Sequence, residues 1–220
     1  MNKEDKELGE DKLRMIKLEL KEGIDSVARF NPSVTIYGSA RLPKEDESYK
    51  KANELAFRLA KELGYNILSG GGPGIMEAAN KGGYEAGVKS VGLTIRLPHE
   101  QGANPYVTDE IPFNYFFTRQ ASLSYSTEAC IFCPGGFGTM SELFEILTLK
   151  KTRKIDNMPV ILFGSHFWSG LDNYIKENLS DKYQTIDDED TKLYIIEDDI
   201  DKIVSIVKES KIRDGSQSLK

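Results

Sequence analysis

The stretch Cys133-Pro134-Gly135-Gly136-Phe137-Gly138-Thr139-Met140-Ser141-Glu142 leaves this chain little choice of local fold. The apolar run Ala129-Cys130-Ile131-Phe132 leads into it and reads as a buried strand. Met140, Leu143, Phe144 and Leu147 leave it at i, i+3, i+4 and i+7, the spacing of one helix face. Between them lie three glycines in four residues, where another group can approach the backbone closely. A strand that ends in a glycine turn and opens a helix presents free N–H groups and the positive end of the helix dipole to an anion. Glu142 falls in the first helical turn and has two readings. Thr139-x-x-Glu142 is a capping box ahead of an apolar run, and Glu142 is also a carboxylate held beside an anion site.

The rest of the chain repeats the strand–turn–helix rhythm. Val34-Thr35-Ile36-Tyr37 reads as a first strand ending in Gly38-Ser39-Ala40-Arg41, and a helix over residues 48–63 stops at Gly64. Asn66-Ile67-Leu68 runs into Ser69-Gly70-Gly71-Gly72-Pro73-Gly74, then a helix from Ile75 closed by Gly82-Gly83. Residues 90–95 form a third strand. Residues 96–113, with Pro98, Gly102, Pro105 and Pro112, read as a long irregular loop, a length that points to function. Residues 115–127 read as a helix carrying Arg119. Residues 158–163 and 193–196 are further strands. Phe167, Trp168, Leu171, Tyr174 and Ile175 mark a helix between them, Asp187 to Asp190 an acidic turn, and residues 200–208 a last helix.

Strands that alternate with helices, and are apolar on both faces, imply an α/β fold with a doubly wound, mainly parallel sheet flanked by helices. Residues 1–30 read as an N-terminal helix packed on the domain through Leu13, Ile16, Leu20, Ile24 and Val27. Residues 31–210 read as one domain and 211–220 as a disordered tail. Ligands bind such sheets beyond the carboxyl ends of the strands. Three glycine-bearing ends converge there: Gly38-Ser39, Gly70 to Gly74, and Gly135 to Thr139.

Charge and cysteines narrow the function. A net charge of −6 argues against a duplex-binding protein but leaves room for a local basic pocket. No apolar stretch reaches membrane-span length, and the charged start has no apolar h-region, so a cytoplasmic location is expected. Cys130 and Cys133 form C-x-x-C. Three apart on a strand they point to opposite faces, and no second pair completes a zinc site. They read as buried apolar cysteines. His99 and His166 are the only histidines and lie far apart, so no metal site is expected.

No glycine turn is followed by Lys-Ser or Lys-Thr, which excludes the P-loop. Gly136-Phe137-Gly138-Thr139-Met140-Ser141 is a degenerate dinucleotide fingerprint after a late strand, which disfavours an NAD(P)-dependent oxidoreductase. What remains resembles a family. Gly70-Gly71-Gly72-Pro73-Gly74-Ile75-Met76-Glu77-Ala78, Phe117-Thr118-Arg119, and Pro134-Gly135-Gly136-Phe137-Gly138-Thr139 with Glu142 resemble the Lonely Guy (LOG) family. Its members are cytokinin-activating nucleoside 5′-monophosphate phosphoribohydrolases, and many bacterial relatives carry the label possible lysine decarboxylase. The resemblance covers about residues 34–207. It implies a Rossmann-like, nucleotide-binding domain, a homodimer or higher homo-oligomer. The expected partner is an AMP-like nucleotide, cleaved to free base and ribose 5-phosphate with no cofactor. It implies Glu142 and Arg119 as the catalytic pair. The family often has Arg-Lys where this chain has Arg119-Gln120, one positive charge fewer. The decarboxylase label fits poorly, because pyridoxal-phosphate chemistry needs a Schiff-base lysine and no glycine-turn lysine stands out.

Glycosidic cleavage passes through an oxocarbenium-like transition state. A carboxylate beside C1′ stabilises that charge and orients or deprotonates the attacking water, the role expected of Glu142. The phosphate is expected on N–H groups of Gly135, Gly136, Gly138 and Thr139, with the Thr139 hydroxyl as a further donor. Gly71, Gly72 and Ser39 are further nucleotide-binding candidates; their plainer readings are helix–strand packing and a turn cap. Arg119, through its planar fork, can hold phosphate or ribose oxygens or polarise the departing base. The loop over residues 96–113 is expected to cover the base. Phe167 and Trp168 read as core or subunit interface. One further functional class uses the same glycine turns without needing a carboxylate at 142: a non-catalytic nucleotide or molybdenum-cofactor carrier.

Overall fold

The computed structural model describes residues 3–96, 102–125, 127–155 and 157–210. Its strands are β1 (Ser33–Tyr37), β2 (Asn66–Ser69), β3 (Ser90–Ile95), β4 (Asp109–Phe113), β5 (Ala129–Phe132), β6 (Val160–Leu162) and β7 (Ile195–Ile196). Its helices are α1 (Lys3–Val27), α2 (Glu47–Leu63), α3 (Ile75–Ala86), α4 (Phe116–Tyr125), α5 (Phe137–Lys151), α6 (Ser165–Tyr174) and α7 (Ile200–Glu209). The strands form one sheet in the order β4-β3-β2-β1-β5-β6-β7, and every neighbouring pair is parallel. The order reverses between β1 and β5, which pair from Val34–Ala129 to Tyr37–Phe132. That reversal is the switch point of a doubly wound sheet, and the crevice beyond it is where such sheets bind ligands.

Side chains alternate across each strand, so two cores form. Val34, Ile36, Ile131 and Cys133 face α2, α3 and α7. Tyr37, Cys130 and Phe132 face α1, α4, α5 and α6. Both faces are covered, which is why the strands are apolar throughout. Cys130 and Cys133 accordingly lie in different cores, both buried. Trp168 is fully buried and donates from Nε1 to the Phe132 carbonyl (2.9 Å). α2 shows how local sequence makes these layers. The Asp46 carboxylate accepts from Ser48 N (2.7 Å) at its start, and Gly64 ends it with φ 70°. Between them Leu55 and Leu59 are fully buried, each contributing about 1.5–3 kcal/mol.

Three elements depart from the reading of the sequence. α3 does not stop at Gly82-Gly83 but runs to Ala86, with Gly87 as its C-cap. A Cβ at Gly82 would lie 2.5 Å from the Asn53 carbonyl oxygen of α2; the glycine serves a close helix crossing, not a stop. The stretch before Asn114 is not all loop: residues 109–113 form β4, paired with β3. β4 is an edge strand, where a proline costs no ladder bond, so Pro112 is tolerated. Among the residues whose burial is described, α1 packs through its second half, with Gly23 against Phe113 and Ser122 and Val27 buried, while Leu13 is 66% exposed. Glu19 of α1 accepts from Asn114 N (2.8 Å), Tyr115 N (3.1 Å) and Thr118 Oγ1 (2.5 Å), so its carboxylate caps the start of α4. Residues 211–220, His99 and the first part of the 96–113 stretch lie outside the described residues.

Candidate active site

The three glycine turns are stitched together by backbone. Ser39 N donates to the Pro134 carbonyl (3.0 Å), and Ile75 N donates to the Ser39 carbonyl (2.8 Å). The ends of β1 and β5 and the start of α3 therefore meet at the switch point. The Ser39 hydroxyl accepts from Arg41 N (3.0 Å), which closes its own turn.

α5 begins at Phe137, with Gly136 at its N-cap and no side-chain cap. The Thr139–Glu142 capping box is not formed. The helix starts earlier than the spacing suggested, so Thr139 is its third residue and Glu142 already lies in its second turn. Thr139 is 4% exposed and folds back against Gly135. Gly136 and Gly138 face open space. The first N–H groups of α5, lacking intrahelical partners, are open to an anion.

Arg119 reaches this place from α4. Its Nε donates to the Leu93 carbonyl within β3 (2.7 Å), and its guanidinium lies over Gly70 so closely that a methyl there would overlap it. Its Nη1 is 3.9 Å from Glu142 Oε1. The two side chains are 11% and 14% exposed. Burial pushes the Glu142 carboxyl up to about 7; Arg119 opposes that rise and Glu145 adds to it. A carboxyl group so placed exchanges its proton near neutral pH, where a general base is most effective. Tyr37, stacked on Phe132 with ring centroids 4.5 Å apart, keeps its hydroxyl protonated well above the ordinary tyrosine range. Burial is the main cause, followed by Cys130, then Glu142 and Glu145.

Of the glycines singled out in the second turn, Gly71 and Gly72 make contacts within the fold. Gly71, at φ 72°, packs on Gly92. The Gly71 and Gly72 carbonyls both accept from Asn104 Nδ2 (3.0 Å each), which also donates to Asn80 Oδ1 (2.9 Å). The glycine that meets the site is Gly70, and nothing in the sequence distinguishes it, because its role depends on where α4 lands. Asn104 and Glu145 were also missed. Glu145 had a signal: an acid three residues after Glu142 on the same helix face. Among the described residues no group of three or more His, Cys, Asp and Glu could hold a metal ion, and no helix is long and apolar enough to cross a membrane.

A family model described as possible lysine decarboxylase matches residues 76–207. Two rice (Oryza sativa subsp. japonica) proteins are each 31% identical to this chain. "Probable cytokinin riboside 5′-monophosphate phosphoribohydrolase LOGL3" matches over 128 residues, 55% of this chain and 57% of its own length. "Cytokinin riboside 5′-monophosphate phosphoribohydrolase LOG" matches over 127 residues, 55% of this chain and 50% of its own. The chain thus spans about half the length of these relatives. In structure it is similar to the molybdenum cofactor carrier protein of Chlamydomonas reinhardtii. The TM-score is 0.61 at 21% identity, covering 81% of this chain and 98% of that one. At that identity the likeness carries the Rossmann-type fold.

Proposed function

The chain belongs to the possible lysine decarboxylase, or LOG, family, and on that premise we propose that it hydrolyses the N-glycosidic bond of a nucleoside 5′-monophosphate. The substrate class is AMP or an N6-modified AMP of the cytokinin riboside type, and the products are free base and ribose 5-phosphate. One observation carries the reading: Arg119 and Glu142, from different helices, stand 3.9 Å apart beside the uncapped start of α5. The 5′-phosphate rests on the N–H groups at Gly136 to Gly138. Glu142 takes a proton from water as the water oxygen bonds to C1′, and the C1′–N bond breaks toward the base. Until it takes that proton the carboxylate charge stabilises the cationic ribose, and the proton then passes to the departing base. Arg119, steered by the Leu93 carbonyl, turns its remaining N–H groups to phosphate or ribose oxygens. Phe116, Phe117, Phe137 and Phe144 are exposed on the two helices that carry the pair, which supports a homodimer over this face.

The fold likeness to a molybdenum cofactor carrier supports carriage as the second reading, but carriage needs no titratable carboxylate at position 142. The two are separated by incubating the protein with AMP and measuring adenine and ribose 5-phosphate by chromatography. Release by the wild type, reduced about 10³-fold or more in Glu142→Gln, supports hydrolysis. AMP bound tightly and recovered intact from the wild type replaces it with carriage.

A further inference from the structure

A second carboxylate lies next to the pair. Glu145 follows Glu142 by three residues on α5, neighbours on one helix face. Its Oε2 is buried and receives no hydrogen bond among the described residues. Its hydrogen-bonding partner is Gln120, from α4, whose Nε2 also donates to the Ser141 carbonyl (3.3 Å). Burial raises the Glu145 carboxyl above the ordinary glutamate value and the Gln120 hydrogen bond opposes that rise; once ionised, its charge acts on its neighbours with little screening. The groups around it are few. Glu142 faces Arg119 from α4, Glu145 from its own helix and Tyr37 from β1. Tyr37, with Cys130 of β5 beside it, also faces Glu145. Arg119 is thus the one cation among them, and it is set against two carboxylates.

We propose that Glu145 is a positioning residue for the reaction of this site: its half-paired buried charge, held by the Gln120 amide, acts on Glu142 and makes it a stronger base than a lone carboxylate beside an arginine. The inference rests on the phosphoribohydrolase reading for its purpose, though not for its measurement. An uncharged amide or an ammonium group at position 120 is not equivalent here. The amide leaves the Glu145 charge in place, whereas a lysine would cancel it. Gln120, one residue past the arginine, thereby becomes part of the setting of Glu142.

The test reads Glu142 directly. Protein labelled with ¹³C at glutamate side-chain carboxyls is titrated by NMR without nucleotide, as wild type, Glu145→Gln and Gln120→Lys. Glutamine at 145 keeps an amide for Gln120 to bond, and lysine at 120 leaves α5 untouched, so a folded variant is available on either helix. Both are expected to lower the Glu142 midpoint by about one pH unit. In AMP hydrolysis the rising limb of kcat/KM moves to lower pH by the same amount, and the plateau falls a few-fold. A Glu142 midpoint unmoved in either folded variant overturns the proposal, because a merely structural Glu145 would leave it in place. If the wild type releases no base, the reaction reading falls instead, and the titration still decides this one.

Discussion

Replacing Glu142 by Gln removes a buried negative charge, and the structure sets the size of the effect. The ordinary glutamate value of 4.5 rises to about 7 in the fold. Below pH 4.5 folded and unfolded chains both hold the proton, and the group costs nothing through its charge. Between 4.5 and 7 the unfolded chain releases its proton while the folded one keeps it, so stability falls as pH rises. Above 7 the loss is complete, about 3 kcal/mol at about 1.4 kcal/mol per pH unit. The Arg119 attraction at 3.9 Å, about 4 kcal/mol before desolvation at an effective dielectric of ~20, is already included and is outweighed by burial. Glutamine cannot ionise. Glu142→Gln is therefore expected to exceed the wild type by about 1 kcal/mol at pH 5 and about 3 kcal/mol at pH 8. The second figure is a Tm gain of roughly 6–12 °C for a chain of this size. Urea unfolding of both proteins at the two pH values, followed by circular dichroism, measures the difference, in which the titrating groups not coupled to Glu142 cancel. The same variant is inactive under the proposed function, so stability and activity part company at one residue. An equal difference at pH 5 and pH 8, or a variant less stable at pH 8, would refute the reasoning.

Two glycine substitutions separate site from scaffold. Gly70→Ala places a methyl against the Arg119 guanidinium and Met76 Sδ, the mobile ends of side chains. Its Tm is expected within about 2 °C of wild type, while kcat/KM with AMP falls about ten-fold or more through a displaced arginine. Gly82→Ala instead meets backbone of α2, the Asn53 oxygen at 2.5 Å and Phe57 N at 2.6 Å. It is expected to cost about 1–3 kcal/mol in urea unfolding and to leave activity per folded molecule unchanged.

Much of the architecture was legible because its causes are local. Period-two strands apolar on both sides imply a sheet covered by helices on each face, and the same period separates Cys130 from Cys133. Gly64 ends α2 where the sequence says it does, since a left-handed residue is a property of one position. What failed were local signals with nonlocal causes. Gly82 looks like a stop from within α3 and is a contact surface seen from α2. Pro112 looks like a breaker and sits in a strand because β4 is an edge. Thr139-x-x-Glu142 matches a capping box, but the glycine turn lets α5 begin at Phe137 and leaves Glu142 inside the helix.

The site divides along the same line. By itself the sequence determined that glycine turns end the strands and that an acid follows the last of them. The resemblance added Arg119 as its partner. Only the tertiary structure decided that the two stand 3.9 Å apart, that Gly70 is the glycine under the arginine, and that Glu145 lies half-paired next to Glu142. The physical reason is one of range. Turns and helix faces follow from neighbours in the chain, whereas the distance between charges, and their shielding from water, depend on how α4 and α5 settle on a sheet whose order no single segment encodes.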